Sequence, residues 1–329
     1  MLKRFFIFSL TICLISVIDG CSTSRYNYIE SIGATNETID ELIPYYFLKE
    51  SLTMVIDGQV VHFCDQGEGQ PIILLHGFAA SLHTWNGWTE ALKNKYRIIR
   101  LDLPGFGLTG PSKTNTYSRS QWVEFLDKFV DRLGIGKFSL IGNSLGGFIA
   151  WNYAVEFPEK VDKLVLLDPI GYNQKVPLLL ELASLPIVGE IGKINMPRPM
   201  IKMCLKDVYG NQKLVTEKLV DHYFGLTLFK GAREAYINIF RLIKEGGGNP
   251  KVGEKIKYIT KPTMLMWGES DRWVPVGLLD RWKKDVPHAV VKVYPGVGHV
   301  PMEEKPAITA KDVDRFLSGI YLSELEVKK

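Results

Sequence analysis

Two glycines bracket a serine in Gly142-Asn143-Ser144-Leu145-Gly146, between an apolar run at 137–141 and a helix-prone stretch that starts at Gly147. A serine hydroxyl attacks a carbonyl only when a base takes its proton, usually a histidine held by a carboxylate. G-x-S-x-G between strand and helix predicts a sharp turn that presents Ser144 at the strand's tip, the small neighbours letting the backbone pass. The helix behind it aims free backbone N–H groups and the positive end of its dipole at whatever reacts there.

With this arrangement the partners come later in the chain, acid first and histidine second, each on a loop after a late strand. Gly268-Glu269-Ser270-Asp271-Arg272 follows the apolar run 262–267, and Gly296-Val297-Gly298-His299 follows the run 289–294. His299 is therefore the expected base and Asp271 the expected acid. Glu269 neighbours Asp271, but the turn aims it elsewhere. Asp168, just after the run 163–167, is the rival acid and reads better as an Asp-Pro turn residue. An acyl-transfer site also needs two N–H groups on the developing oxyanion. Phe78, in the loop after the run 71–75, and Leu145, next to the nucleophile, are assigned that part. His76 ends the same strand before a glycine and reads as shaping the loop through hydrogen bonds.

These loops need a scaffold, and the rest of the chain supplies its pattern. Residues 51–56 and 59–64 are β-prone runs flanking Asp57-Gly58, a strong hairpin signal. Six further apolar runs (71–75, 97–101, 137–141, 163–167, 262–267 and 289–294) alternate with helical stretches such as 85–94, 118–133 and 306–321. That rhythm predicts an α/β fold with a mostly parallel, twisted, eight-stranded sheet and helices on both faces. One segment departs from it. Between Asp168 and about residue 257 the stretches 178–185, 199–205, 213–224 and 232–245 read as helices, closed by Gly246-Gly247-Gly248 as a return hinge. The expected division is a signal peptide at 1–20, a tether at 21–50, a core at 51–169 and 258–329, and a helical cap at 170–257.

With 329 residues, 46% of them apolar, the chain can bury a full core. The net charge of +4 is small and the basic residues are scattered, so no nucleic-acid groove is expected. The four cysteines, at 13, 21, 64 and 204, have no metal-binding spacing. Cys64 and Cys204 read as isolated buried thiols, and neither metal nor cofactor is expected. Lys3-Arg4 precede an apolar run at 5–18 that is short for a bilayer span, followed by Ile18-Asp19-Gly20-Cys21. This resembles a bacterial lipoprotein signal, which implies export, lipidation at Cys21 and attachment to the cell membrane. An ordinary export signal or an uncleaved anchor is the alternative.

Taken together, His76-Gly77-Phe78, Asp102-Leu103-Pro104-Gly105-Phe106-Gly107, Gly142 to Gly147, Gly268-Glu269-Ser270-Asp271 and Gly298-His299 resemble the α/β-hydrolase superfamily with a helical cap. The resemblance spans about residues 51–322. Haloalkane dehalogenases and epoxide hydrolases of this fold place an aspartate at the elbow, and Ser144 argues against both. Carbon–carbon hydrolases of ring-cleavage products often carry Gly-Asn-Ser there, but usually with a serine- and glycine-rich loop after His-Gly. The bulkier Phe78-Ala79-Ala80-Ser81-Leu82-His83-Thr84-Trp85 looks more like esterases and lipases, and cofactor-free haloperoxidases share the Ser-Asp-His set. The expected activity is hydrolysis of carboxylic esters with an apolar acyl group through an acyl-enzyme on Ser144. Phe78, Trp85, Leu145, Trp273, Val274 and Val300 are candidates for the acyl pocket. The alternatives are a carbon–carbon hydrolase of ring-cleavage diketones and a non-catalytic receptor that kept the fold.

Overall fold

Asp57 and Gly58 both take positive φ, 49° and 76°, as a two-residue hairpin turn with the strands' own twist requires. In the computed structural model, which describes residues 24–174, 181, 185–248 and 251–321, they join β1 (Ser51–Ile56) antiparallel to β2 (Gln59–Gln66). The expected signal segment, Cys21 and most of the helix expected over 178–185 lie outside the described residues.

Six strands complete the sheet: β3 (Gln70–Leu75), β4 (Tyr96–Leu101), β5 (Phe138–Asn143), β6 (Val161–Leu167), β7 (Thr263–Gly268) and β8 (Val290–Tyr294). Their order is β1-β2-β4-β3-β5-β6-β7-β8. β2 pairs antiparallel with β4, and every pairing from β4 to β8 is parallel. From β3 the chain steps to one side for β4, then crosses to the other side for β5. The loops leaving β3 and β5 therefore diverge, and open α/β sheets bind ligands in the crevice at such a switch.

Successive side chains of a strand point to opposite faces, and here each face has its own core. Ile73, Leu75, Leu140, Leu166 and Trp267 pack under α3 (Arg119–Arg132), α4 (Leu145–Glu156) and α9 (Leu279–Asp285). Ile72, Leu74, Ile141, Leu167 and Met266 pack under α2 (Asn86–Leu92) and α11 (Pro306–Leu317). Burial on both faces accounts for the continuous apolar runs in the sequence. Ser118 caps α3 by accepting from Gln121 N at 3.2 Å, which closes one orphan donor of the first turn.

Between β6 and β7 come α5 (Pro186–Ile194), α6 (Arg198–Val208), α7 (Glu217–Leu228) and α8 (Ala232–Gly248). Three match expected helices. α5 does not, although Pro186 at its first turn is a start signal. The three glycines expected as a hinge fall within the last turn of α8. The segment expected as a tether is docked where it is described. α1 (Ile39–Tyr46) opens with a capping box on Thr38 and buries Leu42 and Tyr46. Tyr46 donates to the His222 carbonyl of α7, and Ser24 Oγ and Arg25 N both donate to Asp221 of the same helix. Cys64 and Cys204 are both free. Cys64 is buried, whereas Cys204 is partly exposed.

Candidate active site

Ser144 stands between the last residue of β5 and the first of α4, with φ 54° and ψ −113°. A non-glycine residue held there carries on the order of 1–3 kcal/mol of strain, and its surroundings hold it in place. Ser144 N donates to Leu167 O at 2.9 Å, while Ser144 O accepts from Phe148 N and Ile170 N. At Gly146 a Cβ would come within 2.2 Å of the Leu75 carbonyl. The glycine lets the start of α4 lie directly against the end of β3, which brings the loop carrying Phe78 beside the serine.

His299 leaves the loop after β8. Its Nδ1 meets Asp271 Oδ2 at 2.7 Å, and the ring stacks on Trp273 with centroids 5.9 Å apart. Asp271 Oδ1 accepts from Trp273 N and Val274 N at 2.7 and 3.0 Å. The carboxylate is thus fixed by two amides on one oxygen and turned to the imidazole with the other. Such a bond leaves Nε2 as the working end of the ring. The His299 backbone is also anchored: its N–H donates to Val208 O of the cap at 2.8 Å. Gly298 permits this contact, since a Cβ there would meet Val208 O at 2.2 Å.

Asp168, the rival acid, is fully buried with φ 43° and accepts from Gly268 N at 2.9 Å. Carboxylate oxygens of Asp168 and Asp271 and a ring nitrogen of His299 lie within 4.8 Å of one another. Burial, and then the charge of Asp271, push the Asp168 carboxyl well above the ordinary carboxylate range. Its environment therefore favours the protonated, neutral form of the Asp168 carboxyl. Asp271 holds the bond to the histidine, and Asp168 does not. Glu269 points away from the imidazole, accepting from Gly296 N at 3.3 Å. His76 is buried, accepts from Leu103 N on Nε2 and therefore donates through Nδ1 to Gly77 O at 2.7 Å. Burial holds its ring below the ordinary imidazole range. It shapes the β3 loop.

Ser144 and His299 open onto one cavity of about 140 Å³ between the sheet edge and the cap. Of the expected pocket residues, Phe78, Trp273 and Val300 line it. Trp85, Leu145 and Val274 pack in the two cores instead. Gly77, Ala79, Ala80 and Asn143 add to the sheet side of the wall, and the rest comes from cap residues that local sequence pattern did not single out, among them Met196, Met200, Tyr236 and Phe240, together with Cys204. Leu145 is the first residue of α4, where a helix leaves amides without intrahelical partners.

A second Ser-His-Asp row lies elsewhere. Ser51 Oγ meets His62 Nε2 at 2.7 Å, and His62 Nδ1 meets Asp102 Oδ2 at 2.7 Å. All three residues are buried, and none lines the cavity. Asp102 also accepts from Leu82 N and Leu108 N, so the row joins the hairpin to the loops after β3 and β4. Burial pushes the Asp102 carboxyl up, but the neighbouring His62 outweighs it and brings it down to about 2. Serine, histidine and aspartate at hydrogen-bond distance are thus not sufficient for a site. A site also needs a cavity.

Two further residues were not legible in the sequence. Glu303, four residues past His299, accepts from Thr84 Oγ1 and from Tyr209 and Tyr223 of the cap. Glu304 accepts from Gly298 N, Gly210 N and Asn211 N. Both lie on the short helix α10 (Pro301–Glu304) and bind the histidine loop to the cap.

The chain is similar to known proteins in sequence and fold. A family model described as the α/β hydrolase fold matches residues 70–187 and 221–306. The chain is 28% identical over 298 residues to monoacylglycerol lipase ABHD6 of Mus musculus, covering 85% of this chain and 87% of the relative. It is 28% identical over 255 residues to a 2-hydroxy-6-oxononadienedioate/2-hydroxy-6-oxononatrienedioate hydrolase of a Pseudomonas species, covering 74% and 88%. Among solved structures, a meta-cleavage product hydrolase of Pseudomonas fluorescens IP01 superposes with a TM-score of 0.73 at 25% identity, covering 82% of this chain and 98% of that one. The matched residues include the elbow, the acid loop and the histidine loop, in the order and on the sheet edge described above; this chain is a hydrolase of the α/β-hydrolase fold family.

Proposed function

We propose that the protein hydrolyses carboxylic esters with an apolar acyl group, through an acyl-enzyme on Ser144. The observation that carries this reading is the character of the cavity onto which Ser144 and His299 open. Its wall is largely aliphatic and aromatic, and among the described residues it contains no Lys, Arg, Asp or Glu. An acyl chain needs only such a surface. A ring-cleavage diketone acid brings a carboxylate, and burying that charge without a cationic partner is costly.

In the proposed reaction His299 Nε2 takes the Ser144 proton as the hydroxyl attacks the ester carbonyl, and Asp271 stabilises the imidazolium. The N–H groups of Phe78 and Leu145 hold the tetrahedral oxyanion. His299 then protonates the departing alcohol. A water activated by the same ring releases the acid and restores the serine. No metal or cofactor takes part.

The test is a panel of p-nitrophenyl esters of increasing acyl length, set against a ring-cleavage diketone. The expected result is turnover of the esters with kcat/KM rising with acyl length before the cavity is filled, and little turnover of the diketone. Strong preference for the diketone would overturn the reading in favour of carbon–carbon hydrolysis. No turnover of either, with no reaction of Ser144 with a fluorophosphonate, would favour a receptor.

A further inference from the structure

The cap carries an apolar stripe that, among the described residues, nothing covers. On α5, Ile187, Ile191 and Ile194 are 78, 58 and 68% exposed. Their i, i+4, i+7 spacing puts them on one side of the helix. The opposite side is built for packing: Gly189 is buried, and at Gly192 a Cβ would lie 3.1 Å from Ile237 of α8. The charges on α5 are already matched within the molecule, since Glu190 pairs with Lys193 and Arg241. The stripe therefore offers apolar surface with neither a free field nor hydrogen-bonding groups to set a register.

The chain's path says what meets it. Residues 24–37 run along this part of the cap, from the bonds of Ser24 and Arg25 to Asp221 as far as the end of α5. There Met196 N donates to Gly33 O, and Arg233 donates to Lys193 O, Thr35 O and Asn36 Oδ1. The apolar run at 5–18 and Cys21 lie just upstream of Ser24. Three residues of extended chain reach roughly 10 Å, so a lipid anchor at Cys21 would hold the part of the cap bonded to Ser24 within that reach of the bilayer.

We propose that the exposed stripe of α5 is seated in a lipid bilayer, and that the enzyme takes its acyl substrates from that surface. The second half rests on the ester-hydrolase reading, and the first does not. Met196, two residues past α5, and Met200 on α6 line the catalytic cavity, so the segment that carries the stripe continues directly into the cavity wall.

The full chain is mixed with phosphatidylcholine vesicles containing brominated acyl chains, which quench tryptophan on contact. Ile191→Trp should lose at least half of its added fluorescence. Ile320→Trp is the control: position 320 is 44% exposed and lies near the start of β4, at the other edge of the sheet, where Ser318 bonds Lys95 and Tyr96. It should behave like the parent. Equal quenching at both positions, or none at 191, would overturn the proposal. So would quenching that disappears in high salt, because an apolar contact does not weaken with salt.

A triple variant, Ile187→Ser with Ile191→Ser and Ile194→Ser, separates the two halves. It should hydrolyse soluble p-nitrophenyl butyrate like the parent and a vesicle-borne long-chain ester at least tenfold more slowly. Equal rates on the vesicle ester would overturn the surface-extraction half. If the parent turns over neither ester, the ester reading fails while the quenching result still decides the docking. A parent dimer that the triple substitution dissociates, with no quenching at 191, would show that the stripe pairs two copies.

Discussion

Asn143 Nδ2 donates to two carbonyls at once, His299 O at 3.0 Å and Leu167 O at 3.2 Å. Asn143, next to Ser144, thus clamps the backbone of His299, 156 positions later, to the end of β6. Asn143→Ala takes this donor from the buried His299 carbonyl, while Leu167 O keeps its bond from Ser144 N, a loss of about 1–3 kcal/mol. It also frees His299 to drift from the serine. The expected outcome is a kcat reduced roughly ten- to hundredfold with KM near the parent's. Steady-state kinetics and thermal melts check both parts, and an unchanged kcat would show that the clamp is dispensable.

Ser144→Ala should lower kcat by about five orders of magnitude or more. Alanine takes the place of serine without new bulk, so circular dichroism and the melting temperature should stay close to the parent's. Fluorophosphonate labelling should vanish. Near-parental ester turnover in this variant would remove the serine from the mechanism.

Asp271 and Asp168 should respond oppositely to the same substitution. Asp271→Asn removes the charge that stabilises the imidazolium and disturbs its tautomer, at a cost of roughly 10⁴ in kcat. Asp168→Asn replaces a neutral acid with a neutral amide, each with a donor and an acceptor, and should keep kcat within about tenfold. The larger loss at position 168 would move the acid's role there.

The raised carboxyl of Asp168 also sets a pH dependence. Its proton is bound more tightly in the folded than in the unfolded chain. From the ordinary value of 3.8 upward, the unfolded chain gives up this proton first, so the contribution of Asp168 to stability falls as pH rises towards its folded value. Asp168→Asn should therefore gain stability over the parent as pH is raised from 4 to 8. Urea midpoints along that range test the sign, and a variant-minus-parent stability that falls as pH rises would contradict it.

Asp102 has the opposite sign. Its carboxyl is lowered from 3.8 to about 2, so its contribution is present above 3.8 and is lost as pH falls through about 2. The size is on the order of 2 kcal/mol. Ser51→Ala, at the far end of the same row, should lower Tm by about 2–4 °C and leave kcat unchanged. Mass spectrometry after fluorophosphonate treatment should find label on Ser144 and none on Ser51.

What could be read along the chain was whatever short-range chemistry encodes. Asp57-Gly58 specified its hairpin because only a few residue pairs tolerate two positive φ values. The apolar runs marked buried strands, and the glycines around Ser144 marked a backbone passing close to another. The order of Ser144, Asp271 and His299 followed from the alternation of strand and helix. α5 was missed although Ile187, Ile191 and Ile194 keep helical spacing, because Gly189 and Gly192 lower its helix propensity and nine residues are short for a periodic pattern.

The fold alone decided matters that depend on distant pieces of chain. There are six histidines, and two of them, His62 and His299, accept the same serine-and-aspartate grammar. Only the sheet order put one beside a cavity and the other inside a packed joint. The roles of Asn143, Asp168, Glu303 and Glu304 likewise rest on partners in other loops or in the cap. Hydrogen bonds across dozens or hundreds of residues leave no trace in local periodicity, because the spacing that sets them is created when the sheet and the cap close around them.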